Sequence, residues 1–224
     1  MAIYIQMKAL DILLGCEESQ EGAKAWRVLG HNAFSCDVLP CSGGHPEWHL
    51  QMDVFEAIKL KKWHCGIFFP DCTFLTGAAE WAYKDQPPLK SGKLVGAPRR
   101  QARADAYEFF MALWNCGIES IGMENPVGII STYFRKPDQI VQPWYFGDDA
   151  SKKTCIWVKN LPLLTDTNRL PGDTKTRRAN QTPSGQNNLG PSTDRAKIRS
   201  KSYPGIMNAM AVQYSKYLLD RLQP

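Results

Sequence analysis

A chain of 224 residues with 43% apolar and 22% charged residues has the ordinary make-up of a soluble globular protein, long enough for one well-buried domain and a small insert. No apolar run approaches the ~18 residues of a membrane span. Seven scattered cysteines point to free thiols in a reducing compartment rather than a disulfide scaffold; the expected location is the cytoplasm, and Met1 to Ile5 carry no signal-peptide pattern.

Leu10 to Leu14 reads as a first strand ending at Gly15, Gly22 to Leu29 as a helix, and Ala33 to Cys36 as a second strand closed by Asp37. Val54 to Lys62 is expected to be helical and to lead into a strand from Gly66 to Phe69. Pro87 to Pro98, with three Pro and two Gly, breaks regular structure. Gln101 to Trp114 has helical composition and serves as crossover into a strand from Ile118 to Met123. Thr154 to Val158 reads as a further strand, Leu161 to Ser202 as irregular and polar, and Ile206 to Leu222 as a closing helix. Strand and helix signals that alternate in this way predict an α/β fold with a mostly parallel sheet, helices on both faces and a small irregular insert.

The net charge of +5 is uneven. Residues 151–202 hold eleven Lys or Arg against three Asp, a surplus of eight that leaves −3 for the rest of the chain. Such a segment suits a polyanion partner or a solvated loop.

Two stretches carry the chemistry. Phe69-Pro70-Asp71-Cys72-Thr73 and Met123-Glu124-Asn125-Pro126 each follow an apolar run. In an open α/β sheet both would reach the carboxyl edge, where ligands bind. A thiolate there can add to an electron-poor ring carbon while a carboxyl holds the ring nitrogen; the alternative for Cys72 is a small buried core residue. At the other end of the same edge, Gly15 would let a ligand approach the backbone. Asp37 is placed to accept ribose hydroxyls, and Asp53 to accept an adenine amino group or to cap the helix at Val54. Cys36, Cys41, His45 and His49 have a spacing that could close on zinc, but Asp37 within the set is wanted for ribose, and no metal is expected.

The order strand-Gly, strand-Asp, Asp, Pro-x-Cys, Glu-Asn resembles the S-adenosylmethionine-dependent DNA cytosine-5 methyltransferases, class I enzymes with a Rossmann-like fold. The runs Gly15-Cys-Glu-Glu-Ser-Gln20, Ser35 to His49, Glu124-Asn-Pro-Val-Gly128, Arg135 to Trp144, Lys153-Thr-Cys-Ile-Trp157 and Asp194 to Ile206 are similar to a compact, phage-associated branch of that family, over roughly residues 10 to 220. The resemblance implies methyl transfer to C5 of cytosine. Cys72 would attack C6, Glu124 would bind N3, Asn125 and Pro126 would shape the turn that aims Glu124, and Lys153 would contact the substrate. It implies S-adenosylmethionine contacts from Gly15, Cys16, Glu17, Asp37, Val38, Asp53, Val54 and Pro70.

Double-stranded DNA is the implied partner, with no membrane and no obligate protein partner. The target base would be flipped out, with Arg99, Arg100, Arg177, Arg178, Arg195, Lys197, Arg199 and Lys201 on phosphates; the last four would lie on one side of an extended segment. The expected organisation is a catalytic domain of residues 1–160 plus 203–224, and a basic target-recognition insert of 161–202. If phage-encoded, the enzyme would work in the host cytoplasm. Two departures stand out. Asp71 replaces the second proline of the common Pro-Pro-Cys, and Cys16-Glu17-Glu18-Ser19 stands where glycines are usual. With so short an insert, the same chemistry on RNA or a free nucleotide is an alternative, as is a non-catalytic nucleic-acid-binding relative.

Overall fold

In a computed structural model that describes residues 8–192 and 195–222, the chain forms an α/β fold around a seven-stranded, mostly parallel sheet. Residues 1–5, read above for a signal peptide, and Asp194 lie outside the described residues, as does the side chain of Lys197. No described helix is long and apolar enough to cross a membrane.

The strands are β1 Asp11–Gly15, β2 Asn32–Asp37, β3 His49–Gln51, β4 Cys65–Phe68, β5 Ile121–Pro126, β6 Gln139–Val141 and β7 Thr154–Lys159. The helices are α1 Glu21–Val28, α2 Val54–Lys59, α3 Gly96–Trp114, α4 Ile130–Tyr133, α5 Arg195–Ser200 and α6 Pro204–Arg221. The strand order is β3-β2-β1-β4-β5-β7-β6. The first five strands are mutually parallel, whereas β7 runs antiparallel to both β5 and β6.

Strand periodicity sorts the core into two layers. Ile12 and Leu14 of β1, Ile67 of β4 and Ile156 of β7 pack under α1 and α6. Leu13, Phe68, Ile121, Met123 and Trp157 face α2 and α3. The helices offer matching stripes: Trp26 of α1 lies beside Met207, Met210, Tyr214 and Leu218 of α6, while Phe110 and Leu113 of α3 close the other side. Pro204 occupies the first turn of α6, where its missing N–H costs nothing. Asp53 caps α2 by accepting Phe55 N–H at 2.7 Å.

Several boundaries differ from the sequence reading for local reasons. The fifth strand begins at Ile121 rather than Ile118 and continues to Pro126, because β7 pairs with it beyond the point where β4 stops. Phe68 lies opposite Met123, but Pro126 still pairs with Thr154. Glu124 therefore sits within a strand, not after one. α3 starts at Gly96, with Pro98 in its first turn, where proline is tolerated. α2 stops at Lys59, short of Lys62. The three-residue strands β3 and β6 had no distinct signal. Residues 195–200, expected to be extended, are helical. Leu161 and Leu164, at the start of the expected insert, are buried in the α1–α6 layer.

Candidate functional site

The sheet order reverses between β1 and β4, and a crevice outside the carboxyl ends of the strands at such a point is where open α/β sheets take ligands. The strand ends on either side are tied together: Phe69 N–H, just after β4, donates to Gly15 O of β1 at 3.0 Å, and Glu17 N–H, just after β1, donates to Cys36 O of β2 at 3.0 Å.

Cys72 follows β4 by four residues, and Glu124 lies near the end of adjacent β5. Three links bring the two loops together. Asn125, 1% exposed, donates Nδ2–H to Pro70 O at 2.9 Å. Thr76 forms an antiparallel bridge with Gly128, and Ile129 N–H donates to Leu75 O at 2.9 Å. A Cβ on Gly128 would collide with the Leu75 carbonyl, so only glycine permits this approach. From α3, Arg103 Nε–H donates to Phe74 O at 3.0 Å, as does the Tyr83 hydroxyl. The Arg103 guanidinium also stacks 3.3 Å from the centre of the Tyr83 ring. The loop that bears Cys72 is thus braced from two sides.

The electrostatics follow from this placement. Burial pushes the Cys72 thiol pKa up, and the nearby Glu124 and Asp71 carboxylates push it further; Lys152 opposes them. Burial also holds the Glu124 carboxyl above the usual carboxylate range, again opposed by Lys152. Asp71 turns one oxygen onto its own loop, where Oδ1 accepts Thr73 N–H at 3.0 Å and the Thr73 hydroxyl at 2.7 Å. Asn125 Oδ1 is buried with no partner among the described residues. The cation at this pair is Lys152, whereas Lys153, given the substrate contact in the sequence reading, is exposed. Both faces of β7 are buried at its start, Thr154 and Cys155 alike, so no alternation in the sequence separates Lys152 from Lys153.

At the β1–β2 end, Cys16 is close enough to Asp37, Asp53 and Asp71 for all three to raise its thiol pKa, after burial itself. The turn does without the usual glycines because Cys16 and Gln20 both adopt φ of 61°, at a cost of roughly 1–2 kcal/mol each. Gln20 offsets this with a clamp: it donates to His45 O at 2.8 Å and to Ser35 Oγ at 3.2 Å, and accepts from His45 N–H at 3.0 Å. Glu17 is buried, and its carboxylate accepts Gly22 N–H at 2.5 Å and Ala23 N–H at 3.3 Å at the start of α1. It is therefore a helix cap rather than a cofactor contact; burial pushes its pKa up to about 8 despite those two bonds. The space a Cβ would take at Gly15 is filled by Phe68 and Val54, so only glycine lets β1 pack this closely against its neighbours. Asp37 accepts Leu39 N–H at 2.9 Å through Oδ1. Val38 is exposed beside it, and Val54 is buried.

No family model and no curated protein matches this chain.

The other expected positions divide. Arg99 stacks on Phe74 and Tyr83, and Arg100 pairs with Asp85 at 2.8 Å and donates to Tyr83 O at 2.7 Å; both are engaged within the fold. Arg178 is buried over the Trp144 ring, 3.7 Å from Asp149, so it offers no exposed phosphate contact. Arg177, Arg199 and Lys201 are exposed, and Arg195 is half-buried. Because residues 195–200 are helical, Arg195 and Arg199 share a face and position 197 does not; the one-sided row of four cations does not form. The run Ala-Lys-Ile-Arg consists largely of good helix formers, which explains the outcome.

Among the described residues no group of three His, Cys, Asp or Glu is arranged to hold a metal. His49 meets Ser35 Oγ at 2.9 Å and Leu39 O at 2.8 Å, and His45 stacks on Trp48. All seven cysteines are free. A separate cavity of about 750 Å³, lined by Lys8, Lys61, Trp63, His64 and Ser120 among others, opens at the amino edge of the sheet and shares no residue with the site described here.

Proposed function

We propose that the chain is an S-adenosylmethionine-dependent methyltransferase of the class I, Rossmann-like type that acts on C5 of cytosine in DNA through a cysteine adduct. The observation that carries this reading is the pairing of Cys72 and Glu124 across β4 and β5, with the carboxyl biased toward its protonated form by burial. The sheet order, with its antiparallel β7 between β5 and β6, agrees with it.

In this mechanism the Cys72 sulfur adds to C6 of the base. Glu124 donates a proton or a strong hydrogen bond to N3, so that the charge pushed into the ring is stabilised where it develops. Carbon C5 is then nucleophilic and takes the methyl group; its proton passes to water, the C5–C6 double bond re-forms, and the sulfur leaves as thiolate. Asn125 holds the Pro70–Cys72 turn through Pro70 O. Its unpartnered Oδ1 is available to a donor on the bound base.

S-adenosylmethionine supplies an electrophilic methyl group. The residues at the β1–β2 end fit it: Asp37 for ribose, Asp53 for the adenine amino group, exposed Val38 and neighbouring Val54 for the ring faces. Glu18 Oε2, buried without a partner among the described residues, suits the ammonium of the methionine moiety. The amino end of α1 is already taken by Glu17.

A labelled-methyl transfer assay with duplex DNA, RNA and dCMP tests the proposal. Label in duplex DNA, at C5 of cytosine, is the expected result. Label only in RNA or dCMP would move the substrate class, and none in any of them would leave a nucleic-acid-binding protein.

A further inference from the structure

We propose that Asn180 and Gln142 are positioning residues that set Lys152 against the Cys72–Glu124 pair, so that the 161–202 segment, through Asn180, takes part in building the reaction centre. The inference rests on the reading of Cys72 and Glu124 as the reacting pair.

The topology brings Lys152 in from an unusual direction. Because β7 is antiparallel to β5, with Thr154 opposite Pro126, the chain preceding Thr154 runs beyond the carboxyl end of β5. Ser151 and Lys152 therefore reach the site from outside the sheet, on a stretch with no strand partner of its own. A lysine on such a stretch has a long, flexible stem and a strong preference for water. Yet Lys152 is half-buried, and its charge is felt by both Cys72 and Glu124.

Two side-chain amides replace the missing strand. Asn180 grips Ser151 at both ends: Ser151 N–H donates to Asn180 Oδ1 at 2.9 Å, and Asn180 Nδ2–H donates to Ser151 O at 3.0 Å. Gln142, buried just beyond β6, accepts Lys152 N–H at 2.9 Å. Asn180 is itself held, since its Nδ2 also reaches the Tyr203 hydroxyl at 3.2 Å and its carbonyl accepts Asn188 N–H at 3.0 Å. At the tip, Lys152 Nζ–H donates to Arg199 O at 3.4 Å, at the carboxyl end of α5, where a cation is favoured. Asn180 and Gln142 thus fix the backbone around this lysine, and the Arg199 carbonyl holds its head. Glu124 and Asp71 are the anions that face Cys72, and Lys152 is the cation that opposes them.

The test is alkylation of Cys72 by iodoacetamide in the full chain, followed by mass spectrometry of the Cys72 peptide across a pH series. It needs neither cofactor nor substrate. Lys152→Met should slow alkylation at pH 8 at least about threefold and move the pH–rate curve upward, because the thiolate loses its counter-charge. Asn180→Ala should move the curve the same way, and the double variant should be no slower than Lys152→Met alone. Lys152→Arg should stay near wild type. Gln142→Met, which removes the acceptor of Lys152 N–H, carries the same expectation as Asn180→Ala and decides the matter if that variant does not fold. An unmoved curve in Lys152→Met, or full additivity in the double variant, overturns the proposal. Wild type that transfers no methyl group while these shifts persist would instead overturn the proposed activity and leave the positioning role standing.

Discussion

Around Cys16 the polar side chains are spent on the fold: Glu17 caps α1, Gln20 clamps the 45 region, and Asp53 caps α2. Around Cys72 they are held back. Glu124 accepts no hydrogen bond from a described residue, Asn125 Oδ1 is unpartnered, and thiol and carboxyl are both pushed toward their neutral forms. Burying a polar group without a partner costs free energy; Asn125 Oδ1 at this edge, like Glu18 Oε2 at the other, is such a group. The β1–β2 end is a finished scaffold that retains a few free acceptors; the β4–β5 end is an unfinished set of contacts.

The sharpest way to break this contrast is Cys72→Ala. It should lower methyl transfer by about four orders of magnitude or more while leaving S-adenosylmethionine affinity within a few-fold, as read by the labelled-methyl assay and calorimetry. Full turnover by the alanine variant would remove Cys72 from the mechanism.

Glu17 tests the scaffold side. Its folded pKa, about 8, lies above the ordinary 4.5. The protonated form therefore favours the fold, and stability falls as pH rises from near 4.5 through about 8. The size is at most about 4 to 5 kcal/mol. Glu17→Gln cannot ionise, so its urea midpoints at pH 5.5 and pH 8.5 should lie much closer together than those of wild type. Equal pH dependence in both proteins would show that another group carries it.

Glu124→Gln should slow the chemical step about a hundredfold, the usual loss for one transition-state contact. In wild type the raised carboxyl pKa predicts activity that declines on the alkaline side, as the acid is lost, and on the acid side, as the thiolate is lost. The variant should keep the acid limb and lose the alkaline one. A rate within threefold of wild type, or an unchanged profile, would remove the acid role.

The smallest effect is expected at Asp37→Ala, a weakening of S-adenosylmethionine binding by roughly 1 to 3 kcal/mol from unpaired ribose hydroxyls, measured by calorimetry with turnover at saturating cofactor nearly unchanged. Unaltered affinity would take Asp37 out of the cofactor site.

The central strands were legible in the sequence because burial on both faces leaves continuous runs, as at Leu10 to Leu14 and Gly66 to Phe69, and the closing helix because its buried positions recur along one face from Ile206 to Leu218; each lies within a few residues of an observed element. What escaped was set by partners distant in the chain. The extent of β5 depends on β7, and the three-residue strands β3 and β6 exist only because longer neighbours pair with them. At the site, Cys72 and Glu124 were visible as residue types after apolar runs. The difference between Lys152 and Lys153, the burial of Arg178 over the Trp144 ring, and the use of Glu17 as a cap needed the tertiary fold; charge in a sequence does not say whether it is exposed.

The Thr76–Gly128 bridge and the Ile129–Leu75 hydrogen bond have a consequence for how the site is lost. They join the loop after Cys72 to the turn after Glu124, so neither can exchange its amide protons by local opening without releasing the other. The Cys72 loop and the turn after Glu124 thus belong to one cooperative opening unit, and a perturbation at Gly128, far along the chain from Cys72, would release both loops together while Glu124 itself stayed in the sheet through its pairing with β7.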